Sequence, residues 1–432
     1  MHSGILKFLN YMNPPESVLL RCARWLTFAS AVSIIFGIAP SQILLALAFA
    51  ALLASGAQLR LPRIRLPLAL FLLGTLIALA FSGDVAGGLP QVRKFFVFLE
   101  LLVVFSLLRK LQMVRWLFLC WAGAGAIAAI AGYVQFARKV QEAHLVGRSF
   151  YDYYVGERIT GFTSHWNTYS AEEMFALIML ASFLLFAPGT RRRLWLWLSC
   201  AALMAVAILL AETRAIWIAV AVAGLYLVWF WRRGLVLLAP VAVLAIFLAS
   251  PAAVRERFTS IYRPKGVDSN QFRIVTWRTG IHMIEAHPWL GLGPEGPNLH
   301  FDEWIPADIP RPLPSGWYHH LHNIYLQYAA ERGIPTMLVM MWILIQMLVD
   351  FARGLLALPP GRSDRRFLLH GAIAVILATM VEGVFEYNLG ISPVLTMFLV
   401  TVGCGYVALD VSSETTDLAP APVSSVKPGE TR

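Results

Sequence analysis

A cluster of three histidines and an asparagine ends the longest polar stretch of the chain, in His319-His320-Leu321-His322-Asn323. Arginines precede it in the same stretch, among them Arg273 and Arg278. A guanidinium group is a permanent cation whose forked donors match phosphate oxygens, and a neutral histidine is the usual residue for accepting a proton near pH 7. These residue types together indicate a site for an anionic substrate, with His322 as a candidate general base.

The arginines of this stretch lie in a segment with helical periodicity. Apolar residues recur at helical spacing after Gln271, which places Arg273 and Trp277 on one face at positions i and i+4 and points Arg278 elsewhere. Pro288 and the glycines that follow it end this helix and force turns.

The histidines also permit a metal-binding interpretation. A zinc site would need a third ligand, and the carboxylates nearest in sequence are Asp302, Glu303 and Asp308. We favour the alternative without metal or cofactor, in which His322 lies in the first turn of a helix over residues 322–332 that Gly333 and Pro335 end.

Three further arginines are candidates outside this stretch. Arg214 lies between two apolar segments joined by almost no loop, where an unpaired guanidinium would cost several kcal/mol. Pairing with Glu212 or binding an anionic ligand would each explain it. Arg148 and Arg158 lie in a loop over residues 138–167, where a solvated loop and a binding role are equally simple explanations.

The composition identifies the class of protein that must position these residues. Of 432 residues, 58% are hydrophobic and 14% are charged, whereas about a quarter are charged in soluble domains. The net charge of +10 is what cytoplasmic loops of membrane proteins contribute, and no basic-aromatic module indicates nucleic-acid binding. The four cysteines show no paired spacing. The sequence therefore predicts an all-α polytopic membrane protein.

A bilayer core about 30 Å thick needs roughly 20 apolar helical residues, and about twelve segments qualify. The predicted spans are residues 20–39, 41–58, 66–82, 94–109, 114–136, 168–187, 193–211, 214–231, 234–250, 334–352, 366–386 and 390–410.

Lys and Arg concentrate in alternate short loops, which predicts that those loops and both termini are cytoplasmic. Residues 1–250 then hold spans one to nine with the outer loop near 138–167, and residues 334–411 hold spans ten to twelve. Residues 251–333 form a large, partly helical periplasmic loop that carries the active site. Residues 1–11 are expected to form a retained interfacial helix, and residues 412–432 a disordered tail.

Several of these motifs match those of a known family. They are Arg158-x-x-Gly161-Phe162, Thr213-Arg214, Arg273-x-x-x-Trp277 followed by His287-Pro288-Trp289-Leu290-Gly291-Leu292-Gly293, and His320-Leu321-His322-Asn323 leading to Glu331-Arg332-Gly333. The chain resembles the O-antigen ligase family of the O-antigen polymerase/ligase superfamily, and the resemblance covers nearly the whole chain in topology. His320 and Arg332 stand where other residues are also common in that family.

The resemblance implies periplasmic glycosyl transfer in the bacterial inner membrane, from undecaprenyl pyrophosphate to a sugar hydroxyl of the lipid A-core. The catalytic residues carried over are Arg214, Arg273 and His322. For substrate binding we add a second set of residues near them: Arg148, Arg158, Trp277, Arg278, His320 and Asn323.

Three other functions remain open at the level of sequence. An O-antigen polymerase or a protein O-oligosaccharyltransferase would use the same lipid-linked donor with another acceptor. A transporter would need ionisable residues near the bilayer midplane in two related halves. Glu100 and Glu382 are the nearest candidates for that role, but no two halves of the chain correspond.

Overall fold

The computed structural model describes residues 17–260 and 270–416, and within them the chain is helical with no strand. The predicted all-α class is therefore confirmed. The predicted interfacial helix over residues 1–11 lies outside the described residues. The last helix continues to Thr416, and the rest of the predicted tail also lies outside them.

The described residues contain seventeen α-helices. In chain order, α1 to α17 are Val18–Ser33, Ile38–Ala54, Arg65–Ala80, Val85–Arg93, Leu99–Leu107, Leu111–Val146, Phe150–Tyr154, Trp166–Phe186, Leu194–Leu210, Arg214–Arg232, Ala239–Ala249, Ala252–Thr259, Asn270–Ala286, Gly296–Leu299, Ile324–Leu356, Asp364–Glu382 and Ser392–Thr416.

Each of the twelve segments predicted to span the membrane overlaps one of these helices. Six helical stretches of the described chain are long and apolar enough to cross a bilayer, and three shorter apolar helices accompany them. The architecture of several membrane helices is thus confirmed, whereas the number of twelve spans stays a prediction.

Helix α16 is at the centre of the bundle, packed against α8, α10, α15 and α17. Small residues let its neighbours approach closely: a side chain at Gly371 would meet the sulfur of Met179 at 2.6 Å. Phe367 on the same helix makes edge-to-face contacts with Phe118 and Phe183. This packing fixes the loop that follows α16, which reaches the candidate site.

The loops predicted to be cytoplasmic gather at one end of the bundle. Arg60 forms an ion pair with Asp410 at 2.7 Å, and Arg115 forms one with Asp364 at 3.0 Å. The division of the loops into two sets agrees with these contacts. Which set faces the cytoplasm stays a prediction.

The turns between α13 and α14 pack on a break in α15. The amide of Leu292 donates to the carbonyl of Ala330 at 2.8 Å, and the amide of Ile334 donates to that of Pro288 at 2.8 Å. Gly333 interrupts α15 with a φ of +78°, and a Cβ there would collide with the carbonyl oxygen of Trp289. Glycine is therefore required where the two backbones meet.

The start of α15 corrects one prediction. The helix begins at Ile324, and the side chain of Asn323 caps it by accepting from the amides of Tyr325 and Leu326 at 2.9 and 3.0 Å. Asparagine is among the strongest N-cap residues. His322 therefore precedes the helix with a φ of +48°, and its predicted place in the first helical turn was wrong.

Candidate active site

A cavity of about 1000 Å³ opens at the end of the bundle away from the Arg60 and Arg115 ion pairs. Its walls come from the loop before α8, the start of α10, helices α12 and α13, and the loops before α15 and after α16. Five of the candidate residues line it, and these are Arg158, Arg214, Arg273, His320 and His322.

His322 is buried, and each of its ring nitrogens has a partner. Nδ1 lies 2.9 Å from a carboxylate oxygen of Glu386, and Nε2 lies 3.0 Å from the carbonyl oxygen of Trp317. The ring also contacts Phe272 edge to face, with centroids 5.0 Å apart. Both partners are hydrogen-bond acceptors. To act as a general base, the ring must carry its hydrogen on Nδ1 toward Glu386, and Nε2 must carry none and turn away from the Trp317 carbonyl before it can accept a proton from a substrate.

Glu386 contacts His322, Asn167 and Arg273 in the cavity. The sequence did not identify it as a site residue. Its second carboxylate oxygen accepts from the side-chain nitrogen of Asn167 at 2.8 Å and lies 3.2 Å from Nη2 of Arg273. Burial raises the pKa of this carboxyl, but His322, through its hydrogen bond, and the charge of Arg273 lower it by more, so the pKa falls well below its usual range. Glu386 therefore stays ionised.

Arg273 lines the cavity and forms an ion pair with Glu386. Its Nη2 pairs with Glu386, while its Nε is buried without a hydrogen-bond partner in the described part of the chain. Burial is the main cause that lowers the pKa of this guanidinium. Arg273 nevertheless lines the cavity, and its side chain is 20% exposed, so an oxyanion there can pair with this guanidinium.

Arg158 and Arg257 are held by one carbonyl. Both donate to the backbone oxygen of Glu212, at 3.4 and 3.3 Å, in the tight turn before α10. Arg158 also lies over the ring of Trp166 at 4.8 Å. Burial, with the charge of Arg257, lowers the pKa of Arg158 to about 9. Arg257 was not among the predicted residues, because nothing in its local sequence separates it from the neighbouring Arg255.

Arg214 begins α10 and lines the same cavity, where its Nη1 donates to the hydroxyl of Ser260 at 3.1 Å. With Arg158, Arg257 and Arg273 it makes a set that we call the cationic wall. Guanidinium groups this close repel one another, and a bound anion relieves that repulsion.

The remaining candidates lie outside the cavity lining. Trp277 donates to the carbonyl of His322 at 3.4 Å, so it supports the loop, while Arg278 pairs with Asp308 at 2.6 Å on the exposed surface. The predicted shared face of Arg273 and Trp277 is therefore confirmed. Arg148 is exposed, and Asn323 caps α15 and donates to Val384 at 2.9 Å.

Among the described residues, His320, His322 and Glu386 form a group whose ligand atoms lie within 4.8 Å of one another. The carboxylate nearest the histidines is thus Glu386 rather than Asp302, Glu303 or Asp308. Burial lowers the pKa of His320 to about 3, which keeps this imidazole neutral. Arg273 already neutralises Glu386, and the cationic wall favours an anion over a metal cation.

A bundle with several apolar helices and an arginine-rich cavity at one end defines a multi-pass membrane protein with a site for an anionic substrate. A family model described as O-antigen ligase matches residues 199–341. This match agrees with the resemblance drawn from the motifs, and it supports a function of the O-antigen ligase or polymerase kind in general. No curated protein matches the chain.

Proposed function

We propose that the protein is an O-antigen ligase. It transfers a glycan from undecaprenyl pyrophosphate to the lipid A-core oligosaccharide at the periplasmic face of the bacterial inner membrane, without a metal or another cofactor. The observation that carries this proposal is that the cationic wall and the His322–Glu386 pair line one cavity.

The cationic wall suits the pyrophosphate of the donor. Negative charge grows on that group as the anomeric bond breaks, and donors fixed in a buried site stabilise such charge without reorganising. The guanidinium of Arg273, which lines the cavity, supplies such donors. Arg158, Arg214 and Arg257 add permanent positive charge. The arginines can therefore balance the negative charge of the pyrophosphate without a divalent metal.

The transfer itself needs one proton acceptor. Nε2 of His322 takes the proton of the acceptor hydroxyl, the oxygen attacks the anomeric carbon, and the bond to the pyrophosphate oxygen breaks with both electrons leaving on the lipid pyrophosphate. Attack opposite the leaving group inverts the anomeric centre in one step. Glu386 fixes the ring through Nδ1 and stabilises the imidazolium that forms.

Access to Nε2 requires a local change at Trp317. This residue is 51% exposed and lies in the loop before α15, and its carbonyl has to turn away from Nε2 for the acceptor to bind. The acceptor hydroxyl takes its place as the partner of Nε2. Catalytic contacts commonly tighten only when substrate is bound.

A reaction with purified components tests the proposal. The full-length protein in lipid nanodiscs is given a lipid-linked glycan, with and without rough lipopolysaccharide. Glycan attached to the lipopolysaccharide is the expected product. Longer lipid-linked glycan in the absence of lipopolysaccharide would indicate a polymerase instead, and transfer only to a protein serine or threonine would indicate an O-oligosaccharyltransferase.

A further inference from the structure

Part of the cavity lining has a chemistry different from that of the cationic wall. It consists of amides, carboxylates and an aromatic side chain, which we call the polar wall: Gln91, Glu295, Asn298, Gln327, Glu331 and Trp317. Apart from the ion pair between Glu331 and Arg332, the hydrogen bonds of this group within the described part of the chain join its members to one another and to the histidine loop. They do not involve the arginines of the cationic wall.

Glu295 is the centre of the polar wall. One carboxylate oxygen accepts from Gln91 at 2.6 Å, and the other accepts from Asn298 at 3.2 Å. Asn298 in turn pairs with the ring of His319 at 2.8 Å. Each carboxylate oxygen can accept two hydrogen bonds, so Glu295 is held in place and keeps acceptor capacity for a ligand.

The polar wall is joined to the segment that carries the general base. The side-chain oxygen of Gln327 accepts from the amide of Leu321, the neighbour of His322, at 2.7 Å. Its nitrogen donates to Glu331 at 2.8 Å, and Glu331 accepts from the amide of Glu295 at 3.4 Å. A ligand on the polar wall therefore lies beside His322, where an acceptor hydroxyl is needed.

We propose that the polar wall binds the acceptor, as a sugar recognised through its hydroxyl groups; this rests on the proposed function. Sugar hydroxyls donate to carboxylate and amide oxygens, and the half-exposed indole of Trp317 offers a flat apolar surface. The carboxylate of Glu295 repels phosphate, so the donor pyrophosphate is directed to the cationic wall. A cavity of about 1000 Å³ has room for sugars of both substrates.

Direct binding tests this without catalysis. The probe is the core oligosaccharide released by deacylation of rough lipopolysaccharide, titrated against the full-length protein in nanodiscs. We expect Glu295→Gln to weaken its binding about tenfold or more, because a hydrogen bond to a charged acceptor is replaced by a neutral one. The amide oxygen of the glutamine can still accept the hydrogen bond from Gln91. Asn298→Ala should act in the same direction, so a folding defect in one variant does not decide the result.

The matched control is Glu303→Gln, an exposed carboxylate of the same loop that does not line the cavity. It should bind the core oligosaccharide like the wild type. Equal binding by the wild type and both polar-wall variants would overturn the proposal, as would no binding by the wild type.

Turnover separates this proposal from the proposed function. Glu295→Gln should raise the KM for rough lipopolysaccharide about tenfold while the KM for the lipid-linked donor stays unchanged. Transfer by the wild type with no change of acceptor KM in the variant would overturn the polar wall and leave the ligase function standing. A wild type that binds the core oligosaccharide but transfers nothing to it would contradict the ligase function alone.

Discussion

The carboxylate of Glu386 lies 2.9 Å from Nδ1 of His322, although the two residues are 64 positions apart in the chain. The same carboxylate holds Arg273 and Asn167 through its other oxygen. Glu386 thus connects the proposed general base to the proposed pyrophosphate-binding arginine, and changes at Glu386 should affect both.

Replacing Glu386 by glutamine should lower kcat about a hundredfold. The neutral amide cannot stabilise the imidazolium of His322, and it holds the His322 ring less firmly than the charged carboxylate does. Steady-state kinetics with both substrates checks this, and Glu285→Gln, an exposed carboxylate on α13, is the control. A variant that keeps full kcat while folded would remove Glu386 from the mechanism.

The stability of the protein should respond to pH through Glu386 only in acid. The pKa of this group is lowered in the folded state from its ordinary 4.5, so its contribution is present above that value and is lost as pH falls through the lower, folded-state pKa. The difference in Tm between the wild type and Glu386→Gln should be constant from pH 5 to 8. This difference in Tm should become smaller only below about pH 4.5. A difference that already changes near pH 7 would show that another group controls it.

Arg273 and His322 should give separable defects. Arg273→Lys keeps the positive charge but loses the paired N–H donors of the guanidinium. It should lower kcat/KM for the lipid-linked donor about a hundred- to a thousandfold. His322→Ala should leave donor binding nearly intact and reduce turnover by about a hundredfold or more. Donor binding and single-turnover rates distinguish the two. Loss of donor binding in His322→Ala, with normal turnover of what remains bound, would make the histidine a phosphate ligand.

Two arginines suggested by the sequence should matter little. Arg278 forms an exposed ion pair with Asp308, and Arg148 is exposed away from the cavity. We expect Arg278→Gln and Arg148→Gln to change kcat/KM for the donor less than about threefold, since exposed pairs contribute under about 1 kcal/mol. A hundredfold loss in either variant would mean that the donor extends beyond the cavity described above.

The break in α15 should be sensitive to a single methyl group. Gly333→Ala places a Cβ against the Trp289 carbonyl at a positive φ, and should reduce stability by at least about 2 kcal/mol. Gly224→Ala is the matched control, because that glycine lies within α10 with open space around it. Thermal unfolding in detergent compares them. Equal Tm values for the two variants would refute the close backbone packing.

The sequence predicted what depends on neighbours along the chain. The apolar lengths located the helices, and the i, i+4 spacing placed Arg273 and Trp277 on one side of α13 while Arg278 faced another. His322 was found by residue type, but its backbone was not predicted, because the cap formed by Asn323 decides where α15 begins.

The parts of the site that were missed depend on contacts between distant segments. Glu386 follows an apolar helix as an ordinary polar loop residue, and only the packing of α16 brings it to His322. Arg257 is one of several arginines after residue 250, and its burial against the Glu212 carbonyl distinguishes it from the rest. No local pattern contains either contact.

The family match ends before the site does. Residues 199–341 include Arg214, Arg257, Arg273 and His322, but Arg158 precedes that range and Glu386 follows it. The matched segment therefore does not contain the whole candidate site. In a chimera that receives only residues 199–341 from a relative, His322 would come from one parent and Glu386 from the other. Such a hybrid would be active only if the two parents place these side chains at the same distance from each other.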